Sequence, residues 1–103
     1  MRILVSFDLP VETSKDRREY RRFRKFLLKE GFAMTHYSLY SKLTLNATQS
    51  NSIEKHVEEN RPPKGSVFIL TITERQFAQM RFIVGESQSG ESVVQSDESL
   101  IIL

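Results

Sequence analysis

MRILVSFDLP, residues 1–10, is the stretch that decides the fold. Residues 2–8 are apolar and β-branched enough to read as a buried strand, and Pro10 ends it. Asp8 closes that strand. A strand-end acid costs little if it faces water and much if it faces inward without a positive partner. Its place depends on what the rest of the chain builds around it.

The elements that follow are marked by their own ends. Thr13 or Ser14 caps a helix, with Thr13 and Asp16 forming a capping box, and the helix runs from about 14 to 30 with Gly31 as its stop. Residues 32–45 (FAMTHYSLYSKLTL) are aromatic and β-branched with rough alternation. They read as two antiparallel strands, or one long bent strand, turning near Tyr37 and Ser38. Asn46 caps a second helix over about 47–60, with a thin apolar stripe at Ile53 and Val57, and Pro62-Pro63 forbids its continuation. After Lys64-Gly65 comes a strand, SVFILTI (66–72). Thr73-x-x-Gln76 then opens a short helix, and RFIVG (81–85) reads as a further short strand. The order β-α-β-β-α-β predicts an α+β, ferredoxin-like split βαβ domain over residues 1–84.

Residues 85–99 carry four acids and no base and read as a polar linker. The chain then ends in Leu100, Ile101, Ile102 and Leu103. Four apolar residues on a polar tether either fray or add as a strand to an open sheet edge, and the edge of a second subunit is the expected place.

At 103 residues the chain predicts one domain with a modest core. It has no cysteine, so neither a disulfide framework nor a thiolate zinc site is available. No apolar run approaches bilayer length, and the first residues lack signal-peptide character, so a cytoplasmic protein with no membrane partner is expected.

The charge is unevenly spread. Residues 15–29 hold eight basic residues against Asp16 and Glu19, a local charge of +6 in a chain of net +2, so the remainder carries −4. On a helical wheel Tyr20, Phe23, Phe26 and Leu27 form the core stripe. Arg17, Arg18, Arg21, Arg22, Arg24, Lys25 and Lys29 spread over the opposite half. A solvated face is the ordinary reading of such a helix. Here the face is expected to lack acids for pairing, and five of its seven cations are arginines, which suit bidentate grip on phosphates. Nucleic-acid backbone binding is therefore the expectation.

Asp8 has two readings as well. In one it serves its own turn; in the other it acts in Mg²⁺-dependent phosphodiester chemistry, which uses one or two carboxylates with substrate oxygens and water. One chain offers only the one acid there, and a second Asp8 across a twofold axis would supply the other. His36 and His56 are the only histidines, on a strand and on a helix's polar side, which disfavours a two-histidine acid/base pair. Phe32, Tyr37 and Tyr40 are read as core or interface packing rather than base-stacking platforms, since the RNA-recognition signature is absent.

ILVSFDLP (3–10), RREYRRFRKFLLKEGF (17–32), M-x-x-Y-S-L-Y-S-K-L (34–43) and KGSVFILTITERQFAQM (64–80) together resemble the CRISPR-associated protein 2 family, in the branch found with single-effector type II systems. The resemblance spans about residues 1–84 and rests on order and spacing jointly. It implies a ferredoxin-like homodimer with two sheets face to face, and a C-terminal strand (100–103) docked on the partner subunit. It implies that Asp8 is the first-strand acid that binds Mg²⁺ at the dimer cleft, and that Arg17, Arg18, Arg21 and Arg22 lie near nucleic acid. Where many relatives carry Ser-Val-Phe in the third strand, this chain has Ser-Leu-Tyr (38–40). The implied function is a scaffold of spacer acquisition that holds protospacer double-stranded DNA and bridges dimers of the CRISPR integrase subunit. The alternatives are a Mg²⁺-dependent endonuclease acting on RNA or DNA through Asp8 of both subunits, and a toxin-type ribonuclease of the same fold.

Overall fold

The computed structural model describes residues 1–84. In order they form β1 (Arg2–Asp8), α1 (Ser14–Glu30), β2 (Ala33–His36), β3 (Leu39–Leu43), α2 (Ala47–Glu59), β4 (Ser66–Ile72) and α3 (Glu74–Ala78). The strands make one antiparallel sheet in the order β2-β3-β1-β4. That order, with β3 inserted between β1 and β2, is the split βαβ arrangement of the ferredoxin-like fold.

β1 is central because its alternation serves two faces. Ile3, Val5 and Phe7 are buried against the helices. Arg2, Leu4 and Ser6 are half-buried on the other face, and Asp8 at the end is exposed. The core joins these three to Phe23 and Leu27 of α1, Val57 of α2, Tyr40 of β3, Leu9 and Phe32. Phe7 sits at its centre, edge-on to Phe23 at 5.3 Å and stacked on Tyr40 at 5.4 Å. Each such ring pair adds about 0.5–1.5 kcal/mol beyond area burial.

The helix ends follow their local signals. Thr13 Oγ1 accepts from the Asp16 N–H at 3.0 Å, and the Asp16 carboxylate accepts from the Thr13 N–H at 3.3 Å. Gly31 closes α1 in the left-handed region at φ 102°, and the Phe32 N–H returns to Leu27 O at 3.0 Å, which aims Phe32 into the core. The β2–β3 turn falls at Tyr37–Ser38, with Ser38 at φ 65°, and the Phe7 N–H donates to its carbonyl at 3.0 Å. Asn46 caps α2, whose apolar stripe is as thin as expected: Val57 is buried and Ile53 half-buried.

α3 folds back over the start of β1. Arg2 donates to both Glu74 carboxylate oxygens, at 2.9 and 2.8 Å, and lies 4.3 Å above the buried Phe77 ring. Those hydrogen bonds hold the Glu74 carboxyl below the usual carboxylate range, against an opposing push from burial.

One expected strand is not formed. Residues 81–84 of the RFIVG stretch have no ladder, and Ile83 and Val84 are exposed. An apolar pattern supplies side chains for a strand but not the partner its backbone needs. Phe82 instead sets its ring edge-on to His36 at 5.4 Å. Gly85, the 85–99 linker and the docking strand Leu100–Leu103 lie outside the described residues.

Gly65 precedes β4 and packs closely against the backbone at the end of β1. Its φ is +91°, and a Cβ there would come within 2.6 Å of Asp8 O and 2.7 Å of Leu9 Cδ2. Gly65→Ala should therefore lower unfolding stability by at least about 1–3 kcal/mol, the cost of the backbone conformation before any clash. The midpoint of a urea transition measures it, and an unshifted midpoint would contradict the assigned turn.

Candidate nucleic-acid interface and strand-end acid

α1 is 17 residues long, about 25 Å of helix. Phe23 and Leu27 are buried, and Tyr20 and Phe26 pack against the core from its flanks. That stripe turns the other half outward, and all seven predicted cations are exposed: Arg17, Arg18, Arg21, Arg22, Arg24, Lys25 and Lys29. A shallow groove runs among Arg18, Arg21, Arg22, Arg24 and Lys25, with Leu28 as its apolar floor.

The seven divide by what holds them. Arg17 donates to the carbonyls of Val11 and Glu12 at 3.1 and 3.2 Å. Arg22 meets Glu19 at 2.8 Å, one turn away. This corrects the expectation of a face without acids: Glu19 points along the helix surface, where it reaches Arg22. Arg24 donates through Nε to the Tyr40 hydroxyl at 3.0 Å. Arg18, Arg21, Lys25 and Lys29 have no partner among the described residues. Like charges three and four residues apart repel by a few tenths of a kcal/mol each, and a polyanion relieves that repulsion.

Asp8 lies on the other layer. It stands opposite Ser66 of β4 and shares its face with Ser6 and Leu4. Its carboxylate is exposed and makes no hydrogen bond or ion pair among the described residues, so it does not stabilise its own turn. Next to it on that face stand Phe68, opposite Ser6, and Leu70, opposite Leu4. They are 69% and 60% exposed, which is unusual for two large apolar neighbours in a strand. The sequence reading did not single them out. The signal was available: β4 is apolar at every position from 67 to 70, the pattern of a strand covered on both faces.

The sheet thus separates Asp8 from the basic face of α1 rather than bringing them together. Among the described residues no three His, Cys, Asp or Glu side chains gather where they would hold a metal ion. His56 pairs with Glu30 at 3.0 Å and packs on Phe26. His36 lies against Tyr37 and Phe82, with Nδ1 buried and unpartnered. They do not form an acid/base pair. Phe32 and Tyr40 are core residues, whereas Tyr37 is 71% exposed at its turn. No helix among the described residues is long and apolar enough to cross a membrane.

A four-stranded ferredoxin-like sheet, an arginine-rich helix on one layer and a free strand-end carboxylate on the other define a small α+β protein with a cationic surface. The chain belongs to the CRISPR associated protein Cas2 family, whose family model matches residues 1–80. It is similar to the CRISPR-associated endoribonuclease Cas2 of Treponema denticola, at 50% identity over 103 residues, covering 100% of both chains. The protein of the same name from Streptococcus mutans serotype c is 45% identical over 103 residues, covering 100% of this chain and 93% of that one. The crystal structure of Streptococcus pyogenes Cas2 at pH 6.5 superposes with a TM-score of 0.60 at 14% identity. It covers 82% of this chain and 100% of the other, a likeness of fold.

Proposed function

We propose that this chain is a homodimeric scaffold of CRISPR adaptation, one that holds protospacer duplex DNA along α1 and bridges integrase dimers. The observation that carries the reading is the outward half of α1, seven exposed cations of which four have no partner among the described residues. Such a face binds backbone phosphate without reading bases, as a protein that handles arbitrary sequences requires. Phe68 and Leu70 support the dimer, because a second sheet laid on that face would take them out of water. Co-purification with a CRISPR integrase subunit, and salt-dependent binding to duplexes of unrelated sequence, test the reading. Binding to one sequence alone would overturn it.

In the same reading, Leu100–Leu103 add as a strand to the partner's sheet, and β4 is an outer strand with an open edge. Truncation after Gly90 should raise the dimer dissociation constant by at least about tenfold, since each large apolar side chain so buried is worth about 1.5–3 kcal/mol. Sedimentation equilibrium reads it, and an equally tight truncated dimer would remove the exchanged strand from the proposal.

The second reading is a metal-dependent endoribonuclease, favoured by the name that the relatives carry and by Asp8, which has no partner among the described residues. The described residues of one chain do not supply a Mg²⁺ site, because a single exposed carboxylate is too few ligands. Asp8 of two subunits, meeting across a twofold axis, would hold the ion, and Mg²⁺ would supply charge stabilisation at the phosphodiester.

A further inference from the structure

Three of the seven cations are held by other groups of the protein, and only one of these, Arg24, is held by a core side chain. Arg17 rests on loop carbonyls and Arg22 on a neighbouring acid of its own helix. Arg24 Nε donates instead to the hydroxyl of Tyr40, whose residue is 1% exposed and whose ring is stacked on Phe7. Tyr40 is rigid because its ring is packed on all sides and turns on only two side-chain bonds.

The contact uses one of the five guanidinium N–H groups of Arg24 and leaves the Nη1/Nη2 edge free. That edge presents two parallel N–H donors, enough for a bidentate grip on a phosphate. Arg24 also lines the groove with Arg18, Arg21 and Lys25, which have no such anchor.

We propose that Tyr40 is a positioning residue, whose hydroxyl presets Arg24 as the fixed member of a phosphate-backbone site on α1. The proposal rests on the reading of α1 as a duplex-binding surface. It adds that the groove has one ligand fixed from the core, beside Arg18, Arg21 and Lys25, which have no partner among the described residues. A free arginine loses its rotamer freedom on gripping a phosphate, whereas Arg24 has surrendered part of it already. This chain carries tyrosine, rather than phenylalanine, in its Ser-Leu-Tyr segment, and the added hydroxyl is the atom that does the holding.

The test is a double-mutant cycle on the full chain, with Tyr40→Phe, Arg24→Ala and the pair titrated against a short duplex of arbitrary sequence at several salt concentrations. Tyr40→Phe keeps the ring and changes no charge. It should weaken binding by about two- to tenfold, the range set by immobilising one long side chain. The salt slope should stay close to the parent's, because Arg24 keeps its charge and still reaches its phosphate. In the Arg24→Ala background Tyr40→Phe should have no further effect, because its action runs through Arg24. A merely structural Tyr40 hydroxyl would shift the melting temperature and cost the same affinity in both backgrounds, and that result overturns the proposal. So does a Tyr40→Phe protein that binds like the parent. If the parent itself shows no salt-dependent duplex binding, the functional reading fails together with this one, so the parent titration separates the two failures.

Discussion

Replacing Arg18, Arg21 and Lys25 together with alanine should weaken duplex binding by about a hundredfold at moderate salt. Each exposed charge-assisted phosphate contact is worth about 1 kcal/mol after solvent screening, and three of them give about two powers of ten. The logarithm of the binding constant should also fall less steeply with the logarithm of salt, the slope shrinking by about 0.9 for each released counterion, or about 2.7 in all. These three are chosen over Arg17 and Arg22 because they have no partner to give up among the described residues, so their donor capacity is available. For the same reason the folded state should lose nothing. Three mutually repelling charges disappear, and the melting temperature should stay level or rise slightly. A filter-binding titration and a melting curve on this variant suffice. Affinity and salt slope equal to the parent's would show that α1 carries a solvated face and no ligand.

Asp8→Asn should reduce any Mg²⁺-dependent cleavage of RNA or DNA to background while leaving the fold as it is. The carboxylate is exposed and has no partner among the described residues, so its loss falls in the range of ordinary surface changes, within about 0.5 kcal/mol. Asparagine keeps the shape and removes the charge that would hold the ion. Duplex binding should be unaffected, since the basic face of α1 lies on the far side of the sheet. Under the dimer proposal, removing two facing charges should leave self-association level or stronger. The decisive comparison is a nuclease assay with Mg²⁺ on parent and variant, alongside sedimentation. Cleavage that persists in Asp8→Asn would end the metal reading of this residue. A parent with no cleavage would leave the scaffold as the whole function.

The two predictions draw on different kinds of information. That α1 is basic on its outer half was legible in residues 15–29, because a 3.6-residue period and the positions of Tyr20, Phe23, Phe26 and Leu27 dictate which side faces out. Its ends were legible too, since Thr13 with Asp16 and Gly31 act within one turn of themselves. The same locality made Asn46, the Tyr37–Ser38 turn and the Thr73 capping box readable. Which cations are spoken for was not. Arg22 reaches Glu19 through a rotamer choice, and Arg24 meets Tyr40 only because α1 lies across β3, 16 residues further along the chain.

The extent of β1, the length and sidedness of α1 and the order of the elements were therefore determined by the amino-acid sequence itself. Each depends on groups a few residues apart, whose geometry the backbone already prescribes. The tertiary structure decided what depends on distant groups. It placed Asp8 on the face away from the basic helix, with no partner among the described residues, exposed Phe68 and Leu70 beside it, and tied Arg24 to the core. It also denied residues 81–84 a strand, although their composition favours one. A strand exists only where a second backbone offers its hydrogen bonds, and that offer is a property of the assembled sheet rather than of the segment.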